Sequence, residues 1–479
     1  MKIVQTFWTA GKSLTSDSFG WNNPQTHLLS WTLSCLSLRK HHEEVVLYTD
    51  TEGCQTFIEK MHLPYTEVVV CYDHLKCPEA HWAYPKLLTY ARQDAPFVHV
   101  DGDLYLPQGL PKEFEEASLI AQNAEGGTDY YKQMMRGILE KQPILPDYLY
   151  QELTKESIGA YNAGVLGGND LAFITQYCDE AFRVIKDNHL DDLDCKMVNV
   201  NNNLMFEQTL FYALVHKYGK HVSTVFPKNM MDNGYTYEEF CNILQYDHTR
   251  LLHILGGHKR NRIVDKQLET ILAAKYPEYY MRVLSLFPQR NKRLCPTSHL
   301  TRSDLTVQMC VAIYCDWLQA QIERWKDIPT ARLLALARHA DGYLHFIHAN
   351  QTERELFSLT KNPYTAIFSM PHGWPEEAKT ILCYRASPDT LPCQSDIACI
   401  PCLSGEGYKE RLIGDMAYNI LALLEEEMSI KDLCTQLSTC FSDEMASDKE
   451  RIERLINREL NYLLDNGIIY AHLPQQVNL

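Results

Sequence analysis

Through residues 1–287 the apolar positions switch repeatedly between strand-like runs and helical spacing. Lys2 to Trp8 reads as a first strand. His27 to Lys40 carries Leu28, Trp31, Cys35 and Leu38 three and four apart, one helical face, which Leu29, Leu33 and Leu36 widen. Val45 to Thr49 is a short apolar run ending at Asp50, Glu67 to Cys71 a third strand, Trp82 to Arg92 a helix, and Phe97 to Val100 a fourth strand. Such alternation predicts a parallel sheet flanked by helices. Ligands of these sheets sit beyond the carboxyl ends of the strands, where Asp50 and Asp101 fall. A second αβ portion follows. Leu119 to Gln122, Tyr161 to Leu166 and Leu251 to Leu255 read as strands, Asp170 to Lys186 and Met205 to Tyr218 as helices, and two helical segments run to Phe287.

The pattern changes at Pro288 to Lys292, a polar, proline-initiated stretch that predicts a domain boundary. Residues 288–410 read as an α+β linker or accessory region. Leu305 to Trp325 and Ala331 to His339 look helical there, Tyr364 to Met370 and Thr380 to Tyr384 strand-like. Residues 411–479 are clearer. Asp415 to Glu427 is an amphipathic helix with Ile420, Leu421, Leu423 and Leu424, and Ser429 caps a helix to Cys440. A charged helix from Asp448 to Asn466 stops at Gly467, and Ile468 to Tyr470 is a last strand. Three helices and a strand predict a winged-helix-like unit.

Charge narrows the partners. The 479 residues carry 45 Lys and Arg against 61 Asp and Glu, a net charge of −16, which argues against nucleic acid as a partner because that binding needs basic surface. No apolar run reaches the ~18 residues of a spanning helix, and the N-terminus lacks the h-region of a secretory signal, so the expected location is cytoplasmic. The 16 cysteines are then expected reduced and packed as small apolar residues. Cys383, Cys393, Cys399 and Cys402 include one Cys-x-x-Cys, where a four-thiolate structural zinc site would ordinarily show two.

Two motifs carry chemistry. Asp101-Gly102-Asp103 puts two carboxylates at a strand end, suited to Mn²⁺ or Mg²⁺ shared with substrate phosphates. An Asp-x-Asp triplet is common by chance, and Asp192-Leu193-Asp194 is another, so the strand end carries the weight. In Leu252-His253-Ile254-Leu255-Gly256-Gly257-His258-Lys259-Arg260, the imidazole suits a third ligand position, the glycines allow close backbone approach, and Lys259 can reach a phosphate. His253 also reads as a packed or surface histidine, and Gly256-Gly257 as a plain turn.

Together the motifs resemble glycogenin-like retaining glycosyltransferases of the GT-A type, and also a poorly characterised bacterial glycosyltransferase-like family. The match runs through His253-x-Leu255-Gly256-x-x-Lys259, Tyr84-Pro85-Lys86-Leu87, Tyr161-Asn162-Ala163-Gly164-Val165-Leu166 and Phe206-Glu207-Gln208. The resemblance implies a Rossmann-like mixed sheet flanked by helices over residues 1–287. It implies a metal on Asp101, Asp103 and His253, and a nucleotide-sugar donor, a UDP-sugar, held by Lys86, Gly256, Gly257, Lys259 and Asp101. Glu207, Gln208 and Asn162 take the catalytic positions, transfer proceeds with retention, and the acceptor is a peptide or glycan. Glu207 and Lys86 also fit solvated helix residues, and Asn162 a turn. The chain departs from the family at Glu207, where an aspartate is usual, and at Arg260-Asn261, where Pro-Trp is usual. Both bear on donor sugar and acceptor more than on the diphosphate. Ala417-x-x-Ile420-Leu421-x-Leu423-Leu424, Ser429-Ile430-x-x-Leu433 and Leu463-x-x-x-Gly467-Ile468-Ile469 resemble small leader-peptide-binding domains of bacterial peptide-modifying systems. That leaves a second expectation, a non-catalytic scaffold that binds peptide through its C-terminal unit.

Overall fold

The computed structural model describes residues 1–195, 197, 200–231, 234–287, 305–325, 329–371, 373–383, 396–401, 408–438 and 449–473. The chain divides into two compact units, Met1–Glu269 and Thr270–Leu479. Among the described residues no helix is long and apolar enough to cross a membrane.

The first unit is built on a seven-stranded sheet. Its strands are β1 (Lys2–Thr6), β2 (Val45–Thr49), β3 (Glu67–Val70), β4 (Phe97–Val100), β6 (Ile120–Ala121), β9 (Val165–Gly168) and β10 (Ser223–Thr224), in the order β10-β6-β9-β4-β1-β2-β3. β1 pairs in parallel with β2 and β4, and β2 with β3, whereas β9 runs antiparallel between β4 and β6. The two-residue pair β5 (Leu104–Tyr105) and β12 (Leu252–His253) and the three-stranded sheet of β7 (Ala124–Gly126), β8 (Gly159–Tyr161) and β11 (Met230–Met231) lie outside it. This is a mixed, Rossmann-like sheet flanked by helices, the architecture that the resemblance implied. Every residue of β2 and β4 is buried, which is why both read as continuous runs rather than alternating ones.

The helix Pro24–Arg39 starts at Asn23, whose side chain accepts from Thr26 N at 2.9 Å, with proline in the first turn. Residues 26–38 are all buried, so this helix has no solvent face. Its serines therefore turn inward and meet buried backbone instead of water.

The second unit has two antiparallel sheets. In one, β13 (Ser358–Lys361) lies between β17 (Met428–Ser429) and β18 (Ile469–His472). In the other, β15 (Asp396–Pro401) lies between β14 (Ala366–Ser369) and β16 (Tyr408–Ile413). Helices Asp415–Leu423, Ile430–Ser438 and Lys449–Asp465 pack with the first sheet around Ile420, Leu433, Ile456 and Leu463. Gly467 follows with φ +68° and its N–H bonds Leu464 O at 2.9 Å, the stop expected there. Two expectations are overturned. Tyr161 to Leu166 is not one strand: β8 ends at Tyr161, a turn takes Asn162 to Gly164, and β9 starts at Val165 in the other sheet. Thr380 to Cys383 is the last turn of the helix Glu376–Cys383, not a strand. The acidic pair Glu376 and Glu377 suits a helix N-terminus, and Ala378, Leu382 and Cys383 fall on its buried side. Tyr384, Cys440 and residues 288–292 lie outside the described residues.

Candidate functional site

β4 ends at Val100, and buried side chains hold the backbone carbonyls of Val100, Asp101, Gly102 and Leu104. Gln5 Nε2 donates to Val100 O at 3.3 Å and to Asp101 O at 3.4 Å. From the buried helix, Ser30 Oγ donates to Gly102 O at 3.0 Å and Ser34 Oγ to Leu104 O at 2.8 Å. Trp31 of that helix lies under Gly102, so close that a Cβ there would overlap the indole. The glycine between the aspartates is thus required by packing. β12 then pairs antiparallel with β5, setting His253 opposite Leu104, and Ile254 N donates to Asp103 O at 3.0 Å. This register joins residues 150 positions apart. One ligand atom each of Asp101, Asp103 and His253 lies within 4.8 Å of the others.

Two lysines serve the carboxylates. Lys86 Nζ sits 2.9 Å from Asp101 Oδ1 and 2.7 Å from Glu207 Oε1. The Lys86 side chain is 6% exposed, Glu207 is fully buried, and Asp101 is 20% exposed, so the ammonium stands behind Asp101 as seen from solvent. Lys259 pairs with Asp103 from the open side, and Nζ also stands 5.9 Å from the Trp21 ring centroid. Burial works against charge on Lys86, but Asp101 and Glu207 outweigh it and hold the ammonium above its ordinary value. Burial likewise opposes the Asp103 carboxylate, yet Lys259 and His253 hold it far below the usual range. Asp101 moves upward because burial outweighs Lys86. Glu207, deepest of the three, is pushed up to about 7 by burial, with Lys86 opposing. Its Oε2 has no partner among the described residues, while Tyr90 Oη donates to Oε1 at 3.3 Å.

A second polar cluster adjoins the first. Asn162 Oδ1 accepts from Gly164 N at 3.0 Å, and Gly164 O accepts from Asp101 N at 2.9 Å. Asn162 Nδ2 donates to Glu125 Oε1 at 2.7 Å, and Tyr235 Oη donates to the same oxygen. Gln208 Oε1 accepts from Tyr131 Oη at 2.6 Å. On the far side of the sheet's carboxyl edge, a cavity of about 550 Å³ opens past β1, β2 and β3 between Trp8, Asp50, Tyr72 and Asp73. Asp50 is committed to the protein there, accepting from Thr9 N and Oγ1 at 2.7 Å and from Gly53 N at 2.9 Å.

A family model described as a family of unknown function, DUF6734, matches residues 1–286. The chain belongs to that family. No curated protein matches it. Among solved structures, mouse xyloside xylosyltransferase 1 in its apo form aligns at 9% identity and a TM-score of 0.28, covering 53% of this chain and 97% of that one. The glycosyltransferase GlyE of Streptococcus pneumoniae TIGR4 aligns at 10% identity and 0.26, covering 53% and 55%. An active-site mutant of LgtC aligns at 14% and 0.25, covering 43% and 70%.

In this DUF6734 chain the sequence-derived site residues fall into four places. Asp101, Asp103, His253 and Lys259 form one cluster at the carboxyl end of β4. Lys86 and Glu207 stand behind it, both buried, where the sequence allowed solvated helix residues. Glu207 and Gln208 lie in a π-helical turn, Leu204–Thr209, whose Leu204, Met205 and Phe206 are also buried. Asn162 and Gln208 belong to the second cluster. Gly256, at φ +50°, and Gly257 open a short turn to Arg260, with nothing within 4 Å of a Cβ at either. Cys383 and Cys399 are buried, and Cys399 Sγ is 3.4 Å from Tyr314 Oη. Cys393 and Cys402 lie outside the described residues. Sequence reasoning missed Trp31 as a site residue and missed Gln122, Glu125 and Tyr235 altogether. The one signal was Gln122-Asn123, two amides directly after an apolar run.

Proposed function

We propose that this chain is a metal-dependent glycosyltransferase that moves a sugar from a nucleotide-diphosphate donor, a UDP-sugar, with retention, to a peptide or glycan acceptor. The observation that carries this reading is the convergence of Asp101, Asp103 and His253 beside Lys259 at the carboxyl edge of the sheet. Two carboxylates and an imidazole are a donor set that fits Mn²⁺ or Mg²⁺. The ion would supply Lewis-acid stabilisation of the departing diphosphate. Lys259 is 27% exposed on a flexible stem and can exchange Asp103 for a phosphate oxygen. Gly256 and Gly257, with open space above them, let backbone approach the diphosphate. Lys86 opposes the effect of burial on Asp101 and orients it from behind. Asn162, Glu125 and Tyr235 offer an amide, a carboxylate and a phenol, the groups that bind sugar hydroxyls. Residues 411–479, with three helices against the sheet of β13, would present a peptide acceptor in the manner of a winged-helix peptide-recognition unit.

The test is donor turnover. Purified full-length chain with Mn²⁺ and a panel of nucleotide sugars is expected to hydrolyse one donor slowly, and Asp103→Ala to reduce that rate by about 100–1000-fold, several kcal/mol of lost charge stabilisation. Full activity of Asp103→Ala in chelator-treated buffer would refute the mechanism. Absence of hydrolysis together with no nucleotide-dependent thermal shift would favour the scaffold.

A further inference from the structure

His253 Nδ1 lies 2.6 Å from Gln122 Oε1, both side chains buried, and Nε2 faces Asp103 Oδ1 at 3.4 Å. Which ring nitrogen carries the proton decides whether this histidine can bind a cation between the aspartates. A chain of hydrogen bonds answers that question, and it starts at a group with no choice of polarity. The backbone carbonyl of Ala124 can only accept, so the end of the Asn123 side chain 3.0 Å from it is the amide nitrogen. The same nitrogen donates to Tyr235 Oη at 2.8 Å, whose hydroxyl proton goes to Glu125. Asn123 therefore turns its oxygen to Gln122, and Gln122 Nε2 donates to it at 3.0 Å. Gln122 in turn must point its oxygen at His253. An amide oxygen only accepts, so Nδ1 carries a proton, and the ring in its neutral form, the form that binds a cation, has its lone pair on Nε2, the atom facing Asp103.

We propose that Gln122 is a positioning residue that makes His253 a metal ligand, by fixing the imidazole in the Nδ1–H form with its lone pair toward Asp101 and Asp103. The inference rests on the metal reading above. Two further features serve the same contact. Gln122 is itself placed by its backbone, since Gln122 N donates to Asn162 O at 3.1 Å. Gly164 makes room, because a Cβ there would overlap Gln122 Oε1 and fall 2.7 Å from His253 Cε1. The Asn-x-Gly element thus holds the second-sphere partner of the histidine as well as the aspartate strand.

The test is Mn²⁺ affinity, measured on the full-length chain by electron paramagnetic resonance titration of free ion, with no substrate present. Gln122→Met keeps the size and removes the acceptor, and is expected to weaken Mn²⁺ binding by about 10–100-fold. Gln122→Glu keeps an acceptor against Nδ1–H and is expected to bind at least as tightly as the parent. Asn123→Ala leaves Gln122 in place but removes what orients its amide, so its affinity should fall between the parent and Gln122→Met. It also serves where Gln122→Met does not fold. Should Gln122→Met, or Asn123→Ala in its stead, bind Mn²⁺ like the parent while Asp103→Ala does not bind, the positioning role is refuted and the metal site stands. Equal losses in Gln122→Met and Gln122→Glu would refute it as well. A parent chain with no saturable Mn²⁺ binding would overturn the metal reading, and this inference with it.

Discussion

Replacing Glu207 with Gln tests the electrostatics behind the Asp101, Asp103 and His253 cluster. One ammonium, Lys86, faces two carboxylates, Asp101 at 2.9 Å and Glu207 at 2.7 Å, and Glu207 is fully buried with Oε2 unpartnered among the described residues. Burial raises the Glu207 carboxyl from 4.5 to about 7 despite Lys86. A raised carboxyl favours the fold in its protonated form. Its contribution is therefore complete below about pH 4.5 and is lost as pH rises through about 7. At 1.36 kcal/mol per unit, the loss between pH 5 and pH 8 comes to roughly 2–3 kcal/mol. Glu207→Gln is neutral throughout and does not lose it. The variant also leaves Lys86 wholly to Asp101, which reinforces the sign. For a unit of this size each kcal/mol moves the midpoint by about 2–4 °C, so the melting temperature of the variant relative to the parent should rise by roughly 5–10 °C between pH 5 and pH 8. Calorimetry on both proteins at both pH values measures this, read on the transition that the substitution moves. A difference between variant and parent that is the same at pH 5 and pH 8 would show that Glu207 takes up no proton in that window, and the reasoning would fail.

Two substitutions test the glycines that shape the site. Gly102→Ala drives a methyl into the Trp31 indole and should destabilise the first unit by about 1–3 kcal/mol; Trp31→Phe in the same chain should recover part of it, as a double-mutant cycle in urea would reveal. Gly164→Ala places its methyl against Gln122 and His253, and is expected to lower Mn²⁺ affinity at least tenfold while Asp101 and Asp103 remain; unchanged affinity would mean the imidazole is not held where Gly164 leaves room.

Legibility tracked the length of the pattern. The buried strands β2 and β4 and the helix Pro24–Arg39 show in the sequence because each spends several consecutive residues in one environment. The candidate metal site is assembled by something shorter. β5 and β12 have two residues each, too few for any period, yet their register sets His253 beside Asp103. Only the family resemblance brought that pair together beforehand. Glu207 shows a second limit. A carboxylate at a helix start reads as solvated, and nothing in Phe206-Glu207-Gln208 reveals that the turn winds inside the core with a lysine from the helix Tyr84–Ala91 as its counter-ion. Thr380 to Cys383 errs the other way, with β-prone residues overruled by a charged helical first turn at Glu376 and Glu377. Gln122 is the hardest case. Its identity matters through the direction of an amide, set by Asn123 and finally by one carbonyl of Ala124, and polarity of that kind has no signature in the order of residues. The same logic says where the sequence would tolerate change: a different side chain at 122 can serve if it turns an acceptor toward Nδ1, and an amide held the other way round cannot.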